Sequence, residues 1–184
     1  VTELFMIAGA AGSGKTTLGR ALAERVSGVS LDLDDVTADL VRDFLRTRPD
    51  CTEAEALDML RDERYAELAA CARDVLTAER PPILVLIAPF TAEISSTEGW
   101  AGWLAGLDMP TERVHLVWLS VPDGERLRRL SDRGATRDLS VLANGEAALP
   151  ETARPVVPAF AVDARLSGAE QVEIVVQRFG NASL

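Results

Sequence analysis

Residues 9–17 read GAAGSGKTT, directly behind the apolar run LFMIA at 4–8 and ahead of a stretch with helical spacing. They hold Lys15, the one lysine in a chain whose Lys and Arg total 19. GC-rich coding erodes lysine wherever arginine suffices, so the lysine that remains is informative. Gly9, Gly14, Lys15 and Thr16 satisfy GxxxxGK[ST], in the strand-then-helix context this motif requires. Around Gly9, Gly12, Ser13, Gly14 and Thr17, backbone N–H groups can curl about phosphate oxygens, and the helix N-terminus adds positive potential. The Lys15 ammonium reaches the outer phosphates, and the Thr16 hydroxyl is available to Mg²⁺. Arginine's planar fork does not replace a compact ammonium on a flexible stem there. The alternative, a glycine-rich turn preceding a helix by coincidence, must meet all four motif positions by chance.

The bulk composition narrows the partners. The chain has 184 residues, nearly half of them apolar, enough for one domain (1–184) with a substantial core. A net charge of −10 argues against a nucleic-acid partner, because a phosphate backbone is held by clustered Lys and Arg. Cys51 and Cys71 match neither a disulfide framework nor a zinc pattern and are read as ordinary helix residues in a reducing compartment. The longest apolar run, ILVLIAPF at 83–90, is too short to span a bilayer. A soluble, cytoplasmic protein with no membrane partner is expected.

Strand-like runs fall at 3–8, 29–33, 82–88, 114–120 and 158–163, separated by helical spacing. Several are apolar on both alternating faces, as strands buried between two helical layers must be, so the class is α/β with a parallel sheet. Helices are expected over 15–26, 123–133 and 167–179, with a long helical region over 53–79. Thr52 with Glu55 makes a capping box for the last of these. Segments 91–110 and 133–157 read as loop-like, the second being long enough for a functional flap.

In open parallel sheets ligands collect beyond the carboxyl ends of the strands. The second strand ends in Asp32, Leu33, Asp34 and Asp35. Extended alternation aims Asp32 and Asp34 to one side, where they can support Mg²⁺ and orient or deprotonate an attacking hydroxyl. The alternative is that one of these acids, Asp35 above all, caps the helix that follows. The third strand ends in Ala88, Pro89 and Phe90, where many nucleotide-hydrolysing machines carry an acid, which argues against motor-type and transporter-type ATPases. No DxxG occurs, and with no second lysine an NKxD guanine motif cannot, which argues against GTPases.

After the fourth strand, Arg126, Arg129 and Arg133 share a helix face by i, i+3, i+7 spacing, with Arg128 beside them and Arg137 in the following loop. Such a set can neutralise charge on a transferring phosphoryl group, or simply form a solvated face paired with the chain's acids. Arg61 and Arg64 can clamp an anionic group of an acceptor, or serve as salt-bridged surface residues. His115, within an apolar strand, reads as a core or strand-end residue. Trp100 and Trp103 fit three roles: shielding a substrate pocket, packing, and self-association in a homodimer.

GAAGSGKTT, the strand-end LDLDD, the ERLRRLSDRG segment with its flap, and the closing VPAFAVDARLSGAEQVEIVVQ together resemble the small P-loop kinases related to gluconate kinase, shikimate kinase and chloramphenicol phosphotransferase. The resemblance spans nearly the whole chain. It implies a three-layer, nucleoside-monophosphate-kinase-like P-loop NTPase: a five-stranded parallel sheet of order 2-3-1-4-5, a mobile lid (about 133–157) carrying arginines, and ATP with Mg²⁺ as donor. By that resemblance Asp32 helps to organise the metal shell and Asp34 faces the acceptor hydroxyl. Lys15, Asp34 and Arg133 are then the catalytic set, and Arg129 and Arg137 join the loop in binding nucleotide. Asp34, Arg61, Arg64 and Phe90 bind the small-molecule acceptor. Shikimate kinase's glycine-rich substrate loop is replaced here by APFTAE, so the acceptor does not transfer: sugar acids, polyols and antibiotic-like metabolites are all admitted. A rival class is an ATP-binding switch or accessory protein that acts on a protein partner, to which an exposed Trp100 and Trp103 would lend an interaction surface. A polynucleotide kinase would require folding to gather the arginines into one groove.

Overall fold

The computed structural model describes residues 1–135, 138, 142–143 and 154–183. Five strands, β1 (Glu3–Gly9), β2 (Val29–Asp32), β3 (Ile83–Ile87), β4 (Val114–Ser120) and β5 (Phe160–Asp163), form one all-parallel sheet in the order β2-β3-β1-β4-β5. Between them run α1 (Lys15–Arg25), α2 (Leu33–Val36), α3 (Ala38–Thr47), α4 (Glu53–Met59), α5 (Arg61–Asp74), α6 (Thr97–Leu107) and α7 (Asp123–Arg133), with α8 (Gly168–Ser183) after β5.

The apolar character of the strands on both faces follows from two separate cores. Leu4, Met6 and Ala8 of β1, Leu84 and Leu86 of β3, and Leu116 and Trp118 of β4 pack towards α5 and α6. Their alternates, Phe5 and Ile7, Ile83, Val85 and Ile87, and Val117 and Leu119, pack towards α1 and α8. Period-two alternation thus feeds both layers from the same strands. Helix α1 approaches so closely that a Cβ at Gly19 would lie 2.4 Å from Ile87 Cγ1. That tight packing fixes the helix that follows the glycine-rich loop against the sheet.

Two expectations are corrected, and a third, the helical region 53–79, is refined. Segment 91–110 is not loop-like throughout, since α6 occupies Thr97–Leu107. Its three glycines lower intrinsic propensity, but Ser96 caps it by accepting the Gly99 N–H at 2.9 Å, and Trp100, Leu104 and Leu107 bury one face. The region 53–79 is not one helix. The Thr52–Glu55 capping box is present, but ψ rises to 10° at Leu60 between α4 and α5, and a π turn, Val75–Glu79, ends the run. Leu60 N–H still donates to Ala56, and Arg64 N–H to Leu60, so no glycine or proline marks the joint. Cys51 lies in the bend before α4 rather than in a helix, while Cys71 is in α5, and both are free thiols.

Trp100 and Trp103 belong to the core on the α5–α6 side, and Trp103 stacks edge-on against Tyr65 and Phe90. They do not form an exposed surface, which removes the feature that favoured a protein-partner role. His115 sits in β4 with Nε2 at 3.0 Å from Glu3 Oε2. Most of the flap lies outside the described residues. Its last residues are packed: Val156 N–H donates to Ile94 O and Val157 is buried in the core. No helix among the described residues is long and apolar enough to cross a membrane.

Candidate active site

The carboxyl ends of β1, β2 and β3 and the start of α1 open onto a cleft of about 940 Å³. Gly12, Gly14, Lys15, Thr16, Thr17, Asp32, Asp34, Arg64, Ala88, Arg129 and Arg133 are among the residues that line it. At its floor the loop turns sharply. Gly14 has φ +95°, a left-handed conformation that side chains disfavour, and it delivers the chain into α1 with no side-chain cap. Gly9, at φ +149°, leaves no room for a Cβ, which would lie 2.8 Å from Ser13 Oγ and 2.9 Å from Leu119 O. Ser13 is fully buried, and its Oγ has no partner among the described residues. Lys15 Nζ donates to Ala10 O at 2.9 Å, folded back over the loop it belongs to. The first amides of a helix lack intrahelical acceptors, so the start of α1 presents donors and a positive dipole end to the cleft.

Opposite stand the aspartates, placed otherwise than extended alternation foresees. The strand stops at Asp32, which N-caps α2: its Oδ1 accepts the Asp34 N–H at 3.0 Å. Asp34 is therefore on a helical turn, and neither it nor Asp35 is the cap. Both Asp32 and Asp34 nevertheless line the same cleft. Asp32 is 7% exposed, and its Oδ2 accepts the Thr16 hydroxyl at 2.8 Å, joining the second strand to the loop. This hydroxyl–carboxylate pair fits a divalent cation. No group of three or more His, Cys, Asp or Glu among the described residues could hold a metal alone. A cation here would share its shell with phosphate oxygens and water, as Mg²⁺ does in nucleotide sites.

Arg64 is buried, donating through Nη2 to Asp34 Oδ1 at 2.6 Å and through Nε to Thr37 Oγ1 at 2.8 Å. Arg129 ties the loop to the fifth strand. It donates to Glu125 at 2.7 Å, Ser13 O at 3.3 Å and Ala164 O at 2.7 Å. Arg128 and then Arg129 hold the Glu125 carboxylate down at about 2. Arg133, the last residue of α7, pairs with Asp138 and lines the cleft. Arg126 is buried, bonded to Asp123 and Ala11 O. Arg137 lies outside the described residues.

Two expected substrate residues fall elsewhere. Arg61 does not line the cleft: it donates to Glu93 at 2.7 Å and lies over the Tyr65 ring at 4.5 Å. Phe90 is fully buried, its N–H donating to the Tyr65 hydroxyl at 2.8 Å, and its ring faces Tyr65 and Trp103 rather than the cleft. Burial, and then the Glu93 carboxylate, push the Tyr65 phenol above its ordinary range. The β3 end reaches the cleft through Ile87, Ala88 and Pro89 instead.

A family model described as an AAA domain matches residues 4–152, most of the chain. The chain belongs to the AAA domain family. No curated protein matches its sequence. Among solved structures, this AAA domain is similar to a gluconokinase from Sinorhizobium meliloti 1021 (19% identity, TM-score 0.61, covering 99% of this chain and 93% of that one). It is also similar to shikimate kinase from Aquifex aeolicus vf5 (14%, 0.57, 99% and 98%). A third is the Mycobacterium tuberculosis APS kinase solved in complex with AMPPNP and APS (18%, 0.61, 97% and 98%). At these identities the likeness establishes the fold, that of the small P-loop kinases.

The AAA domain's cleft also has a wall that motif reasoning passed over: Ala164, Leu166, Gly168 and Gln171, from the turn after β5 and the start of α8. The strand-end rule that singled out Asp32 applies equally to β5 and would have found them. The rim pair Arg20–Asp35, at 2.5 Å, is a second such feature, invisible because its partners are 15 residues apart.

Proposed function

We propose that this AAA domain is an ATP-dependent kinase that moves the γ-phosphoryl group of ATP to a hydroxyl of a small molecule. The observation that carries the reading is that Lys15 and Thr16 of the loop share one cleft with Asp32 and Asp34. That the APS kinase of the same fold was solved with AMPPNP supports a nucleotide as donor. Lys15 exchanges its bond to Ala10 O for the β- and γ-phosphate oxygens, and Thr16 with Asp32 would hold Mg²⁺. Bound there, Mg²⁺ would neutralise phosphate charge.

Asp34, fixed by Arg64, orients the acceptor hydroxyl. The acceptor oxygen bonds to the γ-phosphorus, the bond to the β,γ-bridging oxygen breaks, ADP leaves, and the hydroxyl proton passes to the Asp34 carboxylate. Arg133, at the end of α7, and Arg137 beyond it supply positive charge to the transferring group. The net charge of −10 keeps nucleic acid out of this account, and ATP supply makes the cytoplasm the natural site of action.

The test is acceptor-dependent ADP release across a pool of sugars, polyols, amino-alcohols and hydroxylated antibiotics. At least one class should raise release tenfold or more over the acceptor-free rate. Slow hydrolysis indifferent to every acceptor would refute the kinase and favour an ATP-dependent switch.

A further inference from the structure

The cleft wall that follows β5 carries a buried amide, Gln171, in the first turn of α8 and 6% exposed. Its Nε2 lies 2.8 Å from Leu166 O and 3.4 Å from Ala164 O. Both partners are carbonyls, which only accept, so the NH₂ edge of the amide must be the one turned to them. That fixes Oε1 on the opposite edge, where it accepts no hydrogen bond among the described residues. Ser13 Oγ, Glu93 Oε2 and Trp103 Nε1 are the side-chain polar atoms there that are both buried and unpartnered, so Gln171 Oε1 is open to the cleft the residue lines.

The turn beside it spends its own donors internally. Ala164 N–H donates to Ser120 O at 2.9 Å, Arg165 N–H to Asp163 Oδ1 at 2.9 Å, Leu166 N–H to Asp163 O at 3.3 Å and Ser167 N–H to Glu170 Oε2 at 2.8 Å. Ala164 O is taken as well, receiving Arg129 Nη2 at 2.7 Å beside the Gln171 amide. Residues 164–167 therefore give the cleft the apolar side chains of Ala164 and half-buried Leu166, with the Gln171 oxygen at their edge. An apolar wall with one placed acceptor suits a flat heterocycle that carries an exocyclic amino group.

The order of the sheet decides which end of a nucleotide reaches this wall. The glycine-rich loop follows β1 in the middle of the sheet, Asp32 and Asp34 lie at the end of β2 on one edge, and Gln171 follows β5 on the other. A nucleotide whose outer phosphates sit at Lys15 and Thr16, towards Asp32, runs its base the other way. The wall adjoins the loop: a Cβ on Gly168 would lie 3.8 Å from Thr17 Cγ2. We propose that Gln171 Oε1 accepts a hydrogen bond from the 6-amino group of adenine and selects the base of the phosphoryl donor. This rests on the ATP reading above and deepens it. Leu166 O and Ala164 O act through the amide, since by holding Nε2 they keep it from turning over and presenting a donor to the base.

The test is calorimetric titration, with Mg²⁺ present, of ATP, purine riboside triphosphate and inorganic tripolyphosphate. The second is ATP without its 6-amino group, and the third has no base. One neutral hydrogen bond amounts to about fivefold in affinity, so the wild type should bind ATP about fivefold or more tighter than purine riboside triphosphate. Gln171→Met keeps the length of the side chain and removes the amide, so its preference should fall to within about twofold while tripolyphosphate binds as it does to wild type. An amide that only staples the turn predicts that both nucleotides weaken together and the preference survives, a result that overturns the proposal. Equal binding of ATP and purine riboside triphosphate by the wild type overturns it too, whatever becomes of the variant, and leaves the nucleotide site standing. Binding of none of the three by the folded wild type overturns the nucleotide reading along with the proposal.

Discussion

Asp32→Asn separates the structural duty of this carboxylate from its proposed duty to a metal. In the fold Asp32 accepts two hydrogen bonds, from Thr16 Oγ1 at 2.8 Å and Asp34 N–H at 3.0 Å. Asparagine is as good an N-cap as aspartate, so its amide oxygen can keep the Asp34 bond. Its NH₂ cannot accept from Thr16 but can donate to the hydroxyl oxygen in the reversed direction, so the pair loses its charge assistance rather than the whole bond, at a cost of at most about 1 kcal/mol. For a chain of this length that lowers Tm by no more than roughly 2–4 °C. The metal effect should be larger. Removing a carboxylate that supports a cation's ligands typically weakens the metal about 10–100-fold. Titration with a fluorescent ATP analogue, with Mg²⁺ and with EDTA, reads both effects. Affinity in EDTA should stay within about threefold of wild type, while the gain on adding Mg²⁺ should fall about tenfold or more. An undiminished Mg²⁺ gain in a folded variant would refute the role given to Asp32.

Asp34→Asn should cut acceptor-dependent ADP release about a hundredfold or more while ATP affinity stays near wild type, and an unchanged rate removes Asp34 from the chemistry. Gly19→Ala puts a methyl 2.4 Å and 2.5 Å from Ile87 Cγ1 and Cδ1, in a core where Ile87 is 1% exposed. Overpacking of about 1–3 kcal/mol should outweigh the gain of up to about 1 kcal/mol in helix propensity and lower Tm; a higher Tm would contradict the close helix–sheet approach. Glu125 is held down at about 2 from an ordinary 4.5, so its pairing with Arg128 and Arg129 favours the fold fully at neutral pH and is lost as pH falls from about 4.5 through about 2. Carboxyl NMR should find it still ionised at pH 3.5, and a midpoint near 4.5 would show the pairing absent in solution.

The sheet was legible because strand burial on both faces leaves unbroken apolar runs, and all five were foreseen to within two residues of their observed ends. The loop was legible because Gly9, Gly14, Lys15 and Thr16 act through backbone conformation and contiguous spacing. Residues whose roles depend on distant partners were harder to read. Nothing local distinguishes Arg61 from Arg64, yet a short step along α5 sends one to Glu93 and the other to Asp34. Phe90 follows a strand end, where a ligand contact is a fair expectation, but a backbone φ of +52° accompanies its position in the core. Helix α6 was hidden by its glycines, and the direction of the Gln171 amide by carbonyl partners that only the folded turn after β5 supplies.

The central claim is that the loop around Lys15 holds a nucleoside triphosphate. It is tested most directly by measuring ATP binding to the Lys15→Ala protein by isothermal titration calorimetry, beside wild type and with the fold checked by circular dichroism. The account predicts ATP affinity at least about tenfold weaker, because the ammonium's charge-assisted bonds to the outer phosphates are gone, with the far-UV spectrum unchanged. A folded Lys15→Ala protein that binds ATP as tightly as wild type would contradict it.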